Sequence, residues 1–371
     1  MLKRIKKLDK TIANKIAAGE VVERPSSVVK EVMENSIDAN ANSITVEIKD
    51  AGKTYIRISD NGIGIHRDDI TLAFERHATS KISNDKDIYN LNSLGFRGEA
   101  LASIASVSNV EIITRTKDES FGIKAELRNG KIVYKKEVGC PVGTTIIVKD
   151  LFYNTPARYK FLKSNSSETN NISLLVNKLA LSHPEISFRY VIDNKHIFTT
   201  PGNNDVYSTI SSIYEKEIVK NLIKIHNVNN GIELQGYISN INYARGNRQM
   251  QAVFVNGRYV KSKVITQAIN DAYRTLLPSN KFPACFLYFK IEPDKIDVNI
   301  HPAKIEIRFH NEDLIRNFVS NLIRENLLKS NLLPNVGIES KLHIDNAIYL
   351  NDKEKDIVQD VSINDISKQL I

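Results

Sequence analysis

Two runs of alternating residues, SITVEI at 43–48 and TYIRIS at 54–59, flank the turn-forming Asp50-Ala51-Gly52-Lys53. Ile44, Val46 and Ile48 share one face of the first run, and Tyr55, Ile56 and Ile58 supply the apolar positions of the second. Successive strand side chains point to opposite faces, so the pattern predicts a hairpin with one face to bury. A two-stranded ribbon cannot bury that face alone. The cover is next to it in sequence: from about Thr11 to Asn40 the chain reads as two helices broken at Glu23-Arg24-Pro25-Ser26, since proline suits a first helical turn and stops the helix before it. Strand-like VEIITR at 110–115 and TTIIV at 144–148 extend the sheet. Helices on one face of an antiparallel-rich sheet predict an α+β sandwich over residues 1–200.

The turn-rich Thr199-Thr200-Pro201-Gly202-Asn203-Asn204 marks a boundary. After it, IELQGYIS, QAVFVNGRYV and PACFLYFKIE read as strands and VITQAINDAYRTLL as an amphipathic helix, a second, smaller α+β domain over 205–330. Residues 331–371 are polar and weakly periodic, a tail or the start of a linker; from Glu339 onward seven acids face four lysines. Cys140 and Cys285 form no CxxC pair, which argues against a disulfide framework or a zinc site. The absence of a long apolar run and of a signal-like start predicts a cytoplasmic protein with no membrane partner. A formal charge of +8 favours polyanionic partners. The excess is concentrated: Arg245, Arg248, Arg258, Lys261, Lys263, Arg274 and Lys281 face only Asp271 between residues 245 and 281.

Three polar elements carry chemistry. In KEVMENSIDA at 30–39, Glu31, Asn35 and Asp38 fall at i, i+4 and i+7, one helical face, while Val28, Val32 and Met33 pack inward and Lys30 and Glu34 point to water. Such a face is either a solvated flank or the wall of a site. Next, Asp60-Asn61-Gly62-Ile63-Gly64 leaves the second alternating run. An ionised Asp60 is acceptor-only and suits an exocyclic amine such as adenine N6, though a plain turn would read the same way. Third, RHATSKI at 76–82 and SLGFRGEALASI at 93–104 place Gly95 and Gly98 around Phe96 and Arg97 just before a helical stretch. Their N–H groups can cradle an anion, with Thr79, Ser80, Lys81 and Arg97 as added donors. No GxxxxGK[ST] loop is present, so phosphate binding would be of another type.

In this order the three elements resemble the GHKL ATPases, the superfamily of gyrase, the large heat-shock chaperone and histidine kinases. Five blocks narrow the resemblance: residues 12–39, RHATSKI, LGFRGEALASI at 94–104, DLFYNTPAR at 150–158 and DVNIHPAK at 297–304 are similar to the MutL family of DNA mismatch repair proteins. The resemblance implies a GHKL helix-sheet sandwich followed by a smaller α+β domain of ribosomal-protein-S5-like type.

It also implies roles. Glu31 would be the general base and Asn35 a Mg²⁺ ligand, with Asp38 supporting the same face. Asp60 would read adenine, Gly64 would let the base approach, and Thr144 would join through water. Thr79, Ser80, Lys81, Gly95, Phe96, Arg97 and Gly98 would meet the phosphates, and Lys304 would reach the γ-phosphate from the second domain, with His301 positioning that loop. Cofactors would be ATP and Mg²⁺, with slow hydrolysis. Partners would be DNA, a MutS-type mismatch sensor, a downstream helicase or nicking endonuclease, and a second copy in an ATP-dependent homodimer that orders Leu8 to Ile16. Lys263, Arg245, Arg248, Arg258 and Lys261 would contact DNA, and the protein would be cytoplasmic and nucleoid-associated. Nothing after about residue 340 resembles the family's C-terminal dimerisation or endonuclease region, so neither constitutive dimerisation nor nicking is expected of these residues. A nucleotide- and DNA-binding module with negligible turnover is the alternative.

Overall fold

The computed structural model describes residues 18–19, 21–81, 95, 98–297 and 307–332. They belong to one compact unit, Met1–Leu332; a second unit, Leu333–Ile371, lies outside the described residues, and of the expected tail 331–371 only residues 331–332 are described, as the end of a helix.

The first half of the chain gives α1 (Pro25–Asp38), β1 (Ser43–Lys49), β2 (Tyr55–Asp60), α2 (Ala100–Val107), β3 (Asn109–Arg115), β4 (Gly122–Arg128), β5 (Lys131–Val138), β6 (Gly143–Lys149), α3 (Pro156–Phe161), α4 (Asn165–Ser182), β7 (Ser187–Ile192) and β8 (Lys195–Thr199). The strands form one sheet in the order β5-β4-β3-β6-β2-β1-β7-β8, and every pairing is antiparallel except β1 with β7. The hairpin expected from the alternation is present, its register pairing Val46 with Ile58 and Ile44 with Asp60.

Its inward row, Ile44, Val46, Ile48, Ile56 and Ile58, is buried against Val28, Val29, Val32 and Met33 of α1, Ile104 of α2, and Ile172 and Val176 of α4. Full burial of such a side chain contributes about 1.5–3 kcal/mol, so this layer dominates the stability of the sandwich. The outward row is charged and self-paired: Glu47 lies 3.6 Å from Arg57, and Glu111 lies 2.9 Å from Lys124 and 3.4 Å from Lys149.

The second half adds α5 (Val206–Ile213), α6 (Lys216–Lys220), β9 (Leu222–Asn229), β10 (Ile232–Ser239), β11 (Gln251–Val255), β12 (Arg258–Val260), α7 (Lys263–Tyr273), β13 (Cys285–Ile291), β14 (Ile296–Asp297), β15 (Arg308–Phe309) and α8 (Glu312–Leu332). Five strands pair in the order β12-β11-β13-β10-β9. One face of this sheet packs on α7 and α8 through Ile265, Ile269, Val319 and Ile323. The other carries Phe254 and Phe286, which pack with Leu181 of α4 and Ile210 of α5. The helix α4 thus touches both sheets. Among the described residues no helix is long and apolar enough to cross a membrane.

Candidate functional site

The inward stripe of α1 runs Val28, Val29, Val32, Met33 and ends in Ser36, which is only 3% exposed. The inward row of β2 runs Ile56, Ile58 and ends in Asp60, because side chains two apart share a face. The polar ends of two apolar rows meet, and Ser36 Oγ donates to Asp60 Oδ2 at 2.7 Å. The other carboxylate oxygen accepts from Gly62 N at 2.9 Å and Thr144 N at 3.2 Å. A carboxylate offers about four acceptor positions, so three internal donors leave room for one more. Burial pushes the Asp60 carboxyl above its ordinary range, and the three hydrogen bonds pull it back part of the way.

Thr144 therefore meets Asp60 through its backbone, while its hydroxyl lies 3.0 Å from that of Thr114. Gly64 adopts φ +77°, and a Cβ there would lie 2.2 Å from the Arg115 carbonyl oxygen. The glycine makes room for the chain's own backbone at the Arg115 carbonyl.

On the half-buried flank of α1 the expected triple is present, held by two lysines. Lys30 Nζ lies 3.1 Å from Glu31 Oε1 and 2.9 Å from Glu34 Oε2. The Glu34 side chain is 13% exposed against 25% for Glu31, so the expectation that Glu34 is solvated is wrong. Burial raises the Glu34 carboxyl and Lys30 lowers it, with a net upward shift. One turn on, Lys81 Nζ donates to Asn35 Oδ1 at 3.0 Å and to Asp38 Oδ2. Gly95 N donates to that same Asp38 oxygen at 3.2 Å. The glycine expected to cradle an anion turns its N–H to an aspartate. The Asn35 and Asp38 oxygens are hard donors and already carry a cationic group, a donor chemistry that suits Mg²⁺.

The segment before Lys81 is held locally. Lys81 N donates to Thr79 Oγ1 at 3.2 Å, with Ser80 between them, and His77 N donates to Gly98 O at 3.0 Å. Gly98 has φ +61°, and a Cβ there would lie 2.4 Å from the Ala78 carbonyl oxygen. Phe96, Arg97, His301 and Lys304, with Leu8 to Ile16, lie outside the described residues.

The basic stretch is divided. Arg248 donates to Asn270 Oδ1 at 2.8 Å and lies over the Phe282 ring, and Arg245 donates to the Tyr243 hydroxyl at 2.6 Å. Both precede β11. Lys261 and Lys263 are exposed either side of Ser262, whose hydroxyl caps α7 by accepting from Ile265 N at 3.2 Å. Arg258 pairs with Val255 at the far end of β11, about 13 Å along the strand from Gln251. Four of the five expected residues thus lie toward one end of β11, and Arg258 toward the other.

Comparison with known proteins agrees with this architecture. The model of the family described as histidine kinase-, DNA gyrase B- and HSP90-like ATPase matches residues 23–141, and that of the DNA mismatch repair protein, C-terminal domain, matches residues 210–328. The DNA mismatch repair protein MutL of Thermoanaerobacter pseudethanolicus is 48% identical over 92% of this chain and 56% of its own length. The chain belongs to the MutL family. The MutL of Clostridium acetobutylicum is 47% identical over 88% of this chain and 53% of its own length, so the chain spans about half the length of the curated relatives it matches. Among solved structures, the N terminal domain of a DNA repair protein aligns with a TM-score of 0.73 at 28% identity, covering 86% of this chain and 99% of that one. The Aquifex aeolicus MutL ATPase domain complexed with ADP aligns with a TM-score of 0.59 at 27% identity, covering 81% and 98%.

In this MutL-family chain three contributors escaped sequence reasoning. Ser36 had a readable signal, a lone hydroxyl at the end of an apolar helical stripe. Thr114 had none: its hydroxyl accepts from Ile65 N at 2.9 Å and donates to Gly143 O at 3.0 Å, contacts between segments far apart in sequence. Glu119 sits in a β-turn-like link and receives Arg67 N and Nε, each at 3.1 Å, which ties the segment after Gly64 to the β3–β4 hairpin.

Proposed function

We propose that this chain binds ATP with Mg²⁺ at the corner where α1 meets the ends of β2 and β6, hydrolyses it slowly, and serves as a mismatch-repair mediator. The observation that carries the reading is the convergence of Asp60, with one acceptor position left, and the Glu31–Asn35–Asp38 flank on that corner. Asp60 would accept from the exocyclic amine of adenine, which a guanine carbonyl cannot supply. Asn35 and Asp38 would hold Mg²⁺, which neutralises phosphate charge when bound. Glu31 would orient and deprotonate the attacking water, with Lys30 Nζ 3.1 Å from its carboxylate fixing the side chain.

Thr79, Ser80, Lys81, Gly95, Phe96, Arg97 and Gly98 would face the phosphates, and Lys304 would add a point charge at the γ-phosphate. Residues 1–200 and 205–330 would act as two domains whose orientation follows the nucleotide through Lys304. In the same reading ATP drives homodimerisation, and Arg245, Arg248, Lys261 and Lys263 hold DNA phosphates without reading sequence, with Arg258 a more remote contributor. A MutS-type sensor would act upstream and a helicase or nicking endonuclease downstream, in the cytoplasm on the nucleoid.

Glu31→Ala is expected to keep ATP binding and lose at least about tenfold in hydrolysis, as removal of a general base does. Steady-state ATPase rate and oligomer state, measured together with and without a non-hydrolysable ATP analogue, test the reading. A wild-type chain that stays monomeric and turns over no ATP would instead favour the passive nucleotide- and DNA-binding module.

A further inference from the structure

The cation seated on the Asn35 and Asp38 oxygens is a side chain from another segment. Lys81 Nζ lies 3.0 Å from Asn35 Oδ1 and contacts Asp38 Oδ2, and the Lys81 and Asp38 side chains are 22% and 9% exposed. The ammonium points inward from the end of the Arg76–Lys81 segment and lies 3.7 Å from where a Gly95 Cβ would stand. A Mg²⁺ ion ligated by the same oxygens would sit about 2.0–2.1 Å from them. Two cations cannot share those lone pairs at such separations, because their repulsion in a partly buried site exceeds what either gains from one more oxygen.

We infer that Lys81 and a divalent cation are alternative occupants of one site, so that metal loading expels Lys81 from Asn35 and Asp38. The inference rests on the nucleotide-site reading and adds a regulatory step to it. Asp38 is the latch, since one of its oxygens holds both Lys81 Nζ and Gly95 N. A metal that takes that oxygen weakens both contacts together. The freed ammonium remains beside Thr79 and Ser80, where a phosphate would be its natural partner. Metal arrival would therefore convert Lys81 from a ligand of the helix α1 into a ligand of the nucleotide. The ion pair also holds the two polar groups of α1 in position before the metal arrives, because it satisfies oxygens that would otherwise face a partly buried site.

Direct metal binding tests this without any turnover. Mn²⁺, read by electron paramagnetic resonance on the full chain without nucleotide, is expected to bind Lys81→Met about tenfold or more tightly than wild type, since a competing ion pair is removed. Lys81→Arg, which keeps the cation, is expected to stay at the wild-type affinity, and adding Asn35→Ala to Lys81→Met is expected to abolish the gain. Equal Mn²⁺ affinity in wild type and Lys81→Met, or a gain that survives Asn35→Ala, overturns the inference. A measurement on the unmutated chain guards against a folding defect: acylation of Lys81, quantified by mass spectrometry, is expected to rise with Mg²⁺ alone, and no rise would equally overturn it. Binding of a fluorescent ATP analogue separates the two levels. Nucleotide binding with no metal effect sinks only the Lys81 exchange, whereas no nucleotide binding by wild type sinks the site reading beneath it.

Discussion

Glu119 carries as much connectivity as any side chain near the candidate site. It accepts from Thr116 N at 3.1 Å and Thr116 Oγ1 at 2.8 Å as well as from Arg67 N and Nε. Burial would raise its carboxyl, but these donors outweigh it and pull the carboxyl from 4.5 down to about 2. A folded-state value below the unfolded one means that the stabilisation is fully present above about pH 4.5 and fades as the pH falls toward 2. Glu119→Gln is therefore expected to cost about 1–3 kcal/mol at neutral pH and to flatten the fall of melting temperature between pH 4.5 and 2. Melting curves across that range check it; parallel wild-type and variant profiles would deny Glu119 the role. Asp60 has the opposite sign, since burial raises it and charge at that corner is tolerated at a cost.

At the scale of elements, α7 begins with a residue that its own helix disfavours. Lys263 is the first residue of this helix, where the backbone N–H groups and the helix dipole disfavour a cation. The Ser262 cap supplies the local stability that Lys263 does not. Lys263→Glu is expected to raise thermal stability slightly, by about 0.3–1 kcal/mol, while weakening duplex DNA binding and lowering its salt slope by about one. Fluorescence anisotropy at several salt concentrations, set beside a thermal melt, reads both signs; an unchanged slope would move the DNA surface elsewhere. The α1 helix makes the same point differently. Its buried stripe was legible at Val28, Val32 and Met33, but the partners of its polar flank, Lys30 within the helix and Lys81 outside it, were not.

For the molecule as a whole, α4 is the joint. Its N-terminal part packs under α1 and β7, and its C-terminal part reaches the second sheet, where Tyr288 donates its hydroxyl to the Leu181 carbonyl at 2.9 Å and Lys178 lies 4.1 Å from the Tyr259 ring centroid. Leu181 is fully buried, which leaves its carbonyl little access to water, so Tyr288→Phe is expected to cost about 1–3 kcal/mol. Denaturant unfolding measures it, and a variant as stable as wild type would show that the contact bears no load. This helix was not anticipated. Its sequence, NSSETNNISLLVNKLALS, opens with seven polar residues and presents a narrow apolar stripe only in its second half. Nor were β5 and β8, edge strands whose exposed faces break the alternation that makes a strand readable.

What the sequence determined by itself was local and periodic. Alternation marked the β1–β2 hairpin, proline and apolar spacing marked α1, and the order of Asp60, Gly95, Gly98 and the MutL-like blocks pointed to the family. These are legible because period and turn chemistry are properties of neighbours in the chain. Tertiary structure alone decided that Ser36 and Thr144 hold Asp60, that Gly64 yields to the Arg115 carbonyl, and that Lys81 occupies the Asn35–Asp38 oxygens. Each of those outcomes depends on side-chain partners chosen by packing, often from segments dozens of residues apart. A hydrogen bond forms where a buried polar group must be satisfied, and which group is nearest is set by the fold.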